Sequence, residues 1–460
     1  MNVQELEEAI YERYINPTKR KRTRRVGLEF EFPIVNQHSK PVDFGVVHRL
    51  TDDFIRRFGF ASLERDDDGY IYSALDDKTG DGLSYDCSYN TLEFSFGVEE
   101  DMGQLDERFR LYYSFVQDNL QRNHHTLTGM GINPHYQINQ NIPVSSERYR
   151  MLLHHLSSYP SYGQKIPFHH HPNFGMFSCA SQIQMDVQEN MLVETLNTFT
   201  KLEPLKTLLL ANSPWGKHYE TLCSRDGFWK NSLHGLNRHN VDIYDLQFES
   251  VDEIVAYIQS MSIYCVEREG KYINFPPTKL TDYFAADQLT GEYFDGETYQ
   301  SVTFHPERSD LHYLRSFKFE DLTFRGTVEF RSVCEQPVSE IMASGALHAG
   351  LIENLHSLTE KLDSDHVIYH KGYNPSELRH LFNQRELPDI FDRKEISGLL
   401  LDVLRIAEDG LRRRGFGEER FLQPLYPRAE QLLSPARQMV DGLLSHEKTM
   451  DDYIAEFGRL

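Results

Sequence analysis

The sequence predicts an α+β fold in which one curved antiparallel sheet is backed by helices and followed by a helical C-terminal part. Four segments, far apart along the chain, alternate apolar with polar residues, as strands with two different faces do. Helical periodicity lies between these segments, and strand signals fade from about residue 375 onward. We therefore expect a main domain over residues 1–374 and a helical C-terminal extension, residues 375–460, packed on it.

The composition indicates a globular protein and argues against a nucleic-acid partner. The chain has 460 residues, of which 39% are hydrophobic and 12% aromatic, which is enough for a large core. It carries 48 Lys and Arg against 70 Asp and Glu, a formal net charge of −22. A nucleic-acid-binding surface usually shows a basic excess instead.

Targeting and cysteine patterns predict a cytoplasmic protein with reduced thiols. We find no apolar run long enough to span a membrane, and the first residues mix acids with apolar side chains, unlike a signal peptide. The five cysteines are odd in number and share no short spacing, which argues against a disulfide framework or a CxxC zinc site.

The N-terminal segment predicts an amphipathic helix over residues 1–15 that ends near Pro17. A basic run follows at residues 19–25. Such a run would suit a phosphate or polyanion contact, but in a chain of this net charge a solvated or acid-neutralising cluster is the favoured interpretation.

The first two strand-like segments each place glutamate on a polar face. In residues 26–34 the apolar side chains alternate with Glu29 and Glu31, so that both carboxylates share one face. The second segment places Glu93 on its polar face. Asp86 lies seven positions earlier, an odd separation, so it joins the same site only if it precedes the strand or a bulge intervenes.

The third and fourth segments repeat the pattern. In residues 179–186, Gln182 and Gln184 lie opposite the apolar side chains. In residues 326–333, Glu329 and Arg331 share the polar face.

Helical patterns separate the strands. Leucines spaced by three and four predict a helix over residues 337–362, and residues 190–211 predict another that Pro204 interrupts. From residue 375 to the end the pattern is helical.

The polar faces have two interpretations. A sheet with one wet face needs no function for its polar residues. Four glutamates at such positions are unusual, however, because like charges on one sheet face repel and strands are depleted in Glu. A hard cation such as Mg²⁺ among these carboxylates would remove the repulsion, and Arg331 would suit phosphoryl oxygens. Because neither a Walker motif nor a kinase glycine loop occurs, metals and sheet residues would have to hold a nucleotide.

Several segments resemble, in order, those of one known superfamily. VGLEFEF (residues 26–32) is similar to the Gly-x-Glu-x-Glu signature of the glutamate–cysteine ligase (γ-glutamylcysteine synthetase) superfamily, and Asp86 with Glu93 resembles its second metal-binding element. The resemblance continues through LTGMGINPH, SCASQIQMD, ANSPW and SRDGFW to TVEFRS, and covers roughly residues 25–350. Where some members carry a metal-binding His in the third strand, this chain has Gln182, as in the plant-like branch.

The resemblance implies a glutamine-synthetase-like sheet and an ATP-dependent carboxylate–amine ligase, whose catalytic domain would be residues 1–374. The γ-carboxylate of glutamate would attack the γ-phosphate of ATP, and the amine of a second amino acid would then displace phosphate from γ-glutamyl phosphate. The implied residues are five metal ligands for Mg²⁺ (Glu29, Glu31, Asp86, Glu93 and Glu329), three nucleotide contacts (Gln182, Gln184 and Arg331) and two catalytic arginines (Arg225 and Arg331).

The expected partners are small molecules: L-glutamate, ATP and an amine such as L-cysteine, as in the first step of glutathione-type thiol synthesis. We expect no nucleic acid and no membrane partner, and the oligomeric state stays open. Two alternatives also stay open. One is a ligase that joins glutamate to a different amine, because acceptor choice depends on pocket shape. The other is a catalytically silent relative that binds ATP or an amino acid.

Two further features are interpreted without a catalytic role. We expect the consecutive imidazoles of His169–His171 to lie in a loop near the mouth of the active site, since neighbouring strand residues point to opposite faces. Cys179 and Cys334 lie close to the strands of the site, but neither has an adjacent base, so we expect both to pack in the core.

Overall fold

The computed structural model describes residues 1–20, 24–162 and 168–460. Residues 21–23 of the basic run lie outside the described residues. The strands are β1 (Val26–Asn36), β2 (Ala61–Arg65), β3 (Ile71–Leu75), β4 (Gly82–Ser84), β5 (Thr91–Ser95), β6 (His125–Leu127), β7 (Ser181–Asp186), β8 (Val241–Asp242), β9 (Ser262–Arg268), β10 (Lys271–Lys279), β11 (Leu289–Phe294), β12 (Tyr299–Phe304), β13 (Phe317–Lys318), β14 (Glu320–Leu322) and β15 (Thr327–Phe330).

The α-helices surround the strands and make up most of the C-terminal part. They are α1 (Val3–Ile10), α2 (Phe44–Phe58), α3 (Met102–Arg122), α4 (Glu147–Ser157), α5 (Glu189–Leu210), α6 (Ser224–Lys230), α7 (Val251–Gln259), α8 (Leu280–Ala285), α9 (Met342–Glu353), α10 (Leu355–Asp363), α11 (Pro375–Phe382), α12 (Arg393–Arg414), α13 (Leu425–Gln431), α14 (Pro435–Leu444) and α15 (Met450–Phe457). Among the described residues, no helix is both long and apolar enough to cross a membrane.

A nine-stranded sheet forms the centre of the molecule. Its strand order is β14-β15-β7-β1-β5-β4-β3-β2, and β6 pairs with the end of β1. All of these pairings are antiparallel. The four segments singled out in the sequence are the adjacent strands β15, β7, β1 and β5, which confirms the α+β class and the antiparallel sheet. The structure adds a four-stranded sheet, β12-β11-β10-β9, and a parallel pair of β8 with β13, which the sequence did not predict.

The apolar face of the sheet packs against helices. Leu28, Phe30, Phe32 and Ile34 of β1 are all fully buried. Helix α9 packs directly on β1 and β7, while α3 packs on α9 and α2. The alternation in the sequence therefore predicted the core face of these strands correctly, because burying one face is what the alternation achieves.

Three predicted helices differ from the structure in their boundaries. The N-terminal helix α1 continues as a π-helical turn and a 3₁₀ turn that ends at Lys19. Helix α5 runs through Pro204 without interruption, because burial along this helix outweighs the lost backbone hydrogen bond. The helix predicted over residues 337–362 begins only at Met342 and is divided at Asn354 into α9 and α10.

The C-terminal helices pack on the sheet-backing helices. Helix α12 lies against α9, and the two helices cross closely at Gly350 and Gly410. A Cβ on Gly350 would lie 2.2 Å from the carbonyl oxygen of Ala407. Leu378 and Leu400, from the C-terminal part, belong to the same hydrophobic cluster as Leu28 of β1. The division at residue 374 stays a prediction.

Candidate active site

The acidic cluster arises from strand register. Glu31 of β1 lies opposite Glu93 of β5, and Glu93 lies opposite Ser84 of β4. One carboxylate oxygen each of Glu31, Glu93 and Asp86 lie within 4.8 Å of one another. The structure therefore brings together three of the five predicted metal ligands in a group that suits a cation.

Asp86 reaches this group from a turn before β5. The next residue, Cys87, has a left-handed backbone conformation (φ +61°), which ends the preceding segment and directs the chain into the turn. The hydroxyl of Tyr149 donates to Asp86 Oδ1 at 3.2 Å. Asp86 thus precedes the strand, which is one of the two arrangements that its odd spacing from Glu93 allowed.

Backbone and amide donors hold Glu31. Its Oε2 accepts from the Ala180 N–H at 2.7 Å and its Oε1 from the Gln182 side-chain amide at 2.9 Å. The Glu31 N–H donates to Glu335 Oε2 at 2.9 Å, and Glu335 is fully buried. Glu31 is therefore fixed from both sides before any ligand binds.

Glu29, on β1, and Glu329, on β15, lie on either side of β7. Glu29 Oε1 accepts from the Gln184 amide at 3.0 Å, and Gln184 lies opposite Glu329 in the register of β7 with β15. Glu329 is ion-paired with Arg331. Neither glutamate belongs to the three-carboxylate group, so their assignment as metal ligands stays a prediction.

Burial and mutual repulsion raise the pKa values of these acids. Burial, followed by the charge of Glu329, raises the pKa of Glu29 to about 7. Burial, followed by the charge of Asp86, raises the pKa of Glu31 to about 8. The pKa of Glu93 is raised well above its usual value by burial and then by Glu29. Keeping these carboxylates ionised without a counter-ion costs free energy, and a divalent cation would offset that cost.

A cavity of about 140 Å³ is lined by both acidic and basic side chains. Glu31 and Asp86 line it together with the guanidinium groups of Arg148, Arg225, Arg315 and Arg331. This arrangement places carboxylates, which suit a cation, next to guanidinium groups, which suit carboxylates and phosphates.

The two arginines predicted from the sequence lie side by side in this cavity. Arg225 Nη1 donates to the carbonyl oxygens of Val333, at 3.1 Å, and Ser332, at 3.4 Å. Its Nη2 donates to the carbonyl oxygen of Arg331 at 3.4 Å. These bonds tie α6 to the chain that leaves β15, so that Arg225 and Arg331 keep a fixed spacing.

Several buried polar atoms that line the cavity have no partner in the described residues. They are Gln182 Oε1, Ser178 Oγ, Arg225 Nε and both ring nitrogens of His234. Buried polar groups are normally hydrogen-bonded, so their concentration here indicates a place for a polar ligand.

The sequence analysis missed several residues of the site. Arg148 lies on α4 and Arg315 in a loop, where charged residues are usually solvated and carry no signal. Asp321 lies opposite Glu329 on β14, in a short segment whose alternation was not recognised. Glu335 follows β15 after its alternation has ended.

The histidine run and the cysteines lie in packed surroundings. His169 Nε2 faces the carbonyl oxygen of Phe228 at 2.8 Å, and the His171 ring packs against Trp215. The run lies in a loop, as predicted. Cys179 and Cys334 are both buried, which agrees with core packing. Burial raises the pKa of the Cys179 thiol well above its usual value, whereas for Cys334 burial is outweighed by hydrogen bonds, that of Cys223 first, which lower its pKa to about 6.

A comparison with known families decides the relationship of this chain. The model of the glutamate–cysteine ligase family 2 matches residues 25–454. The chain belongs to this family. The matched region includes the acidic cluster, the adjacent strands β15, β7, β1 and β5, and helices α11 to α14.

Relatives in the glutamate–cysteine ligase family are distant in sequence. The chloroplastic glutamate–cysteine ligase of Solanum lycopersicum is 22% identical over 319 residues, which are 68% of this chain and 56% of that protein. The chloroplastic enzyme of Arabidopsis thaliana is 24% identical over 322 residues, with the same two coverages. The aligned part thus spans little more than half the length of these curated relatives.

Two solved structures match this chain over nearly all of its length with TM-scores just below 0.5. The bifunctional glutathione synthetase of Pasteurella multocida gives a TM-score of 0.49 at 13% identity, over 99% of this chain and 53% of that one. The glutamate–cysteine ligase of Francisella tularensis, in complex with AMP, gives a TM-score of 0.49 at 12% identity, over 96% of this chain and 89% of that one.

Proposed function

We propose that this protein joins the γ-carboxylate of L-glutamate to the amine of L-cysteine, with ATP and Mg²⁺, through γ-glutamyl phosphate. This would be the first step of glutathione-type thiol synthesis. The observation that carries the proposal is the cavity that Glu31 and Asp86 line together with four arginines, in a chain that belongs to the glutamate–cysteine ligase family.

The residues of the cluster fit Mg²⁺. Three carboxylates meet within ligand distance of one another, and the orphaned Oε1 of Gln182 adds a neutral oxygen of the kind that Mg²⁺ accepts. Glu31, Asp86 and Glu93 would hold one ion, and Glu29 and Glu329 would extend the site toward Arg331. When bound, Mg²⁺ would neutralise the charge of the phosphate oxygens.

Arg331 would bind the phosphoryl group that is transferred. Its guanidinium pairs with Glu329, and Glu329 and Asp321 raise its pKa further, so that it stays charged. A fixed cation beside the phosphoryl oxygens stabilises the negative charge of the transition state. Arg225 is held by carbonyl oxygens, and its Nε, which has no partner among residues 1–20, 24–162 and 168–460, would donate to the phosphate or to a substrate carboxylate.

Gln184 would contribute indirectly to the nucleotide contact. Its amide nitrogen donates to Glu29, and its amide oxygen accepts from Arg325 Nη2 at 2.9 Å. Both ends of the side chain are engaged, so Gln184 orients Glu29, whereas Gln182 keeps a free oxygen for a ligand.

Arg148 and Arg315 are suited to substrate carboxylates. Arg148 lies over the ring of Tyr149, and Arg315 donates to the carbonyl oxygen of His312 at 3.2 Å. Both line the cavity, and within the described ranges neither has a carboxylate partner. Glutamate and an amino-acid acceptor each bring one α-carboxylate, which two guanidinium groups would position.

The proposed reaction has two steps. A γ-carboxylate oxygen of glutamate attacks the γ-phosphorus of ATP, and ADP leaves. The uncharged amine then attacks the acyl carbon of γ-glutamyl phosphate, inorganic phosphate leaves, and the amine gives up a proton. Arg225 and Arg331, aligned by their shared backbone contacts, would stabilise the phosphate in both steps.

Trapping the acyl phosphate tests this proposal. Hydroxylamine, with Mg·ATP and L-glutamate, should yield γ-glutamyl hydroxamate together with ADP and phosphate. A hydroxamate that forms only with ATP, Mg²⁺ and glutamate together would support a ligase. ATP binding without hydroxamate or phosphate release would instead favour the catalytically silent relative.

A reducing compartment such as the cytoplasm suits the protein. All five cysteines are free and buried. The plant relatives are named chloroplastic, which describes those proteins. Fractionation of the source cells, with an antibody to the protein, tests this placement.

A further inference from the structure

The inner wall of the active-site cavity is aromatic. Helix α6 presents Arg225 and Trp229 one turn apart, and the 3₁₀ turn after it carries His234. Trp229 stacks on Phe317 with ring centroids 4.7 Å apart and 22° between the planes, and the His234 centroid lies 4.2 Å from Phe317. Tyr264 completes the wall.

This wall adjoins the phosphate end of the site. The Arg331 guanidinium carbon lies 6.0 Å from the Phe317 centroid, on a ring that also contacts His234. A substrate side chain that touches His234 would therefore lie about one aromatic ring away from the group expected to bind the transferred phosphate.

His234 is the polar exception in this wall. It is 4% exposed, and neither ring nitrogen has a hydrogen-bond partner in the described part of the chain. Its neighbours on every side are rings: Trp229, Tyr264, Phe317 and His155. Burial lowers the pKa of His234 to about 3, so the ring is neutral and offers one donor and one acceptor nitrogen.

A thiol suits this environment better than a hydrocarbon side chain of the same size. Sulfur makes favourable contacts with aromatic rings, and the S–H group is a weak donor to a neutral ring nitrogen. A methyl group in the same place would fill the space but leave the buried nitrogens unpaired. Sites that hydrogen-bond part of a substrate reject the analogue that lacks it.

We propose that His234 is a specificity-determining residue that hydrogen-bonds the thiol of the acceptor amino acid against the wall of Trp229 and Phe317. The inference rests on the proposed function and adds to it the contact that distinguishes cysteine from an acceptor of equal size. His234 takes no part in the phosphoryl transfer itself.

The test compares L-cysteine with L-2-aminobutyrate, in which a methyl group replaces the thiol. For the full-length protein and for His234→Phe, kcat/KM of each acceptor is measured by phosphate release with Mg·ATP and saturating L-glutamate. His234→Phe keeps an aromatic ring but has no nitrogen. We expect it to lower the ratio of cysteine to aminobutyrate kcat/KM by at least about fivefold, with KM for glutamate unchanged.

His155→Phe is the matched control. His155 is also buried, and its ring stacks on Tyr264 at 3.8 Å, but it does not line the cavity. Because His155 lies behind the wall, replacing its imidazole by a phenyl ring should leave the ratio of cysteine to aminobutyrate kcat/KM at the wild-type value.

An unchanged ratio in His234→Phe overturns the proposal, and so does an equal loss with both acceptors, which a merely structural role would give. If His234→Phe does not unfold cooperatively, His234→Leu is assessed by the same ratio. Failure of the proposed function shows separately, because the unaltered protein would then release no acceptor-dependent phosphate, which removes this inference as well.

Discussion

At the scale of single residues, the ionised carboxylates of the acidic face lower the stability of the fold, but they suit a cation. Glu29, Glu31 and Glu93 are held by strand register, although burial and mutual repulsion oppose their charges. A protein that used this face only for structure would be more stable with amides at these positions. The cost of keeping carboxylates is therefore best explained by a ligand that neutralises them.

Glu29→Gln tests this interpretation. The change keeps the size of the side chain but removes its charge, so we expect kcat/KM to fall at least about a hundredfold. The melting temperature without Mg²⁺ should stay at or above the wild-type value, because burial and Glu329 oppose the charge of Glu29. The stabilisation by Mg²⁺, measured by differential scanning fluorimetry, should be smaller than in the wild type.

The exposed Glu7→Gln is the control for charge loss alone, and it should change neither activity nor the response to Mg²⁺. A Glu29→Gln protein with wild-type turnover at saturating Mg²⁺ would remove Glu29 from the metal site.

Glu320 predicts a pH dependence of stability outside the active site. It is fully buried, and burial followed by the charge of Glu203 raises its pKa to about 8. A carboxyl whose folded pKa exceeds its unfolded value of 4.5 contributes stability that is complete below pH 4.5 and is lost as the pH rises through 8. Glu320→Gln keeps the neutral form at every pH.

The melting temperature of Glu320→Gln relative to the wild type should therefore increase from about pH 5 to about pH 8.5 and then level off. Thermal melts at half-unit pH steps measure the difference. A difference that is constant across this range would show that Glu320 does not titrate in it.

Strand alternation predicted the site residues that lie on long strands, whereas Asp86 in a turn and Arg225 on α6 received their roles only from the family resemblance. Glu29, Glu31 and Glu93 follow from the period of two, since a strand fixes which side chains share a face. Arg148 and His234 lie on a helix and a 3₁₀ turn, and only the three-dimensional packing brings them to the cavity. Which residues sequence reasoning finds thus depends on the element that carries them.

At the scale of elements, the rule that the apolar side chains of an alternating segment face the core has an exception. The chain through β13 and β14 also alternates, but Lys318 and Glu320 face the interior, whereas Phe317 and Phe319 line the active-site cavity. Lys318 Nζ is held there by the carbonyl oxygens of Val241 and Ile243, at 2.9 and 2.7 Å. Polarity alone would therefore assign these faces wrongly, because backbone acceptors make it possible to bury the charge.

The crossing of α9 and α12 gives the element-scale prediction. A Cβ on Gly350 would lie 2.2 Å from the carbonyl oxygen of Ala407, so backbone must move to admit it. We expect Gly350→Ala to lower the free energy of unfolding by about 2 kcal/mol or more. Urea denaturation followed by circular dichroism measures the change.

Gly398→Ala is the matched control within α12. A Cβ at Gly398 meets no atom within 4 Å, so only the helix propensity changes. The protein should gain up to about 1 kcal/mol. Equal effects of the two substitutions would mean that the close crossing does not hold α12 in place.

At the scale of the whole molecule, the main hydrophobic cluster includes residues on both sides of position 374. Leu28 of the sheet and Leu400 of α12 belong to it together. Sequence periodicity shows that the C-terminal part is helical, but not which surface its apolar face covers, since that depends on tertiary packing.

The shared core predicts one cooperative unfolding transition. In differential scanning calorimetry, the calorimetric and van't Hoff enthalpies should agree within error, as for a single folding unit. Two separable transitions would show that residues 375–460 fold independently of the rest.

At the scale of the whole protein, the identity of the acceptor amine defines the reaction. Neither the alternating strands nor family membership identifies that acceptor. The direct test is phosphate release from Mg·ATP with L-glutamate fixed and a panel of amino acids and amines as second substrate, with product masses recorded. Our account predicts that cysteine gives the highest kcat/KM and a product with the mass of γ-glutamylcysteine. A γ-glutamyl product formed only with another amine would contradict the assignment of cysteine, and absence of turnover with every acceptor would contradict the assignment as a ligase.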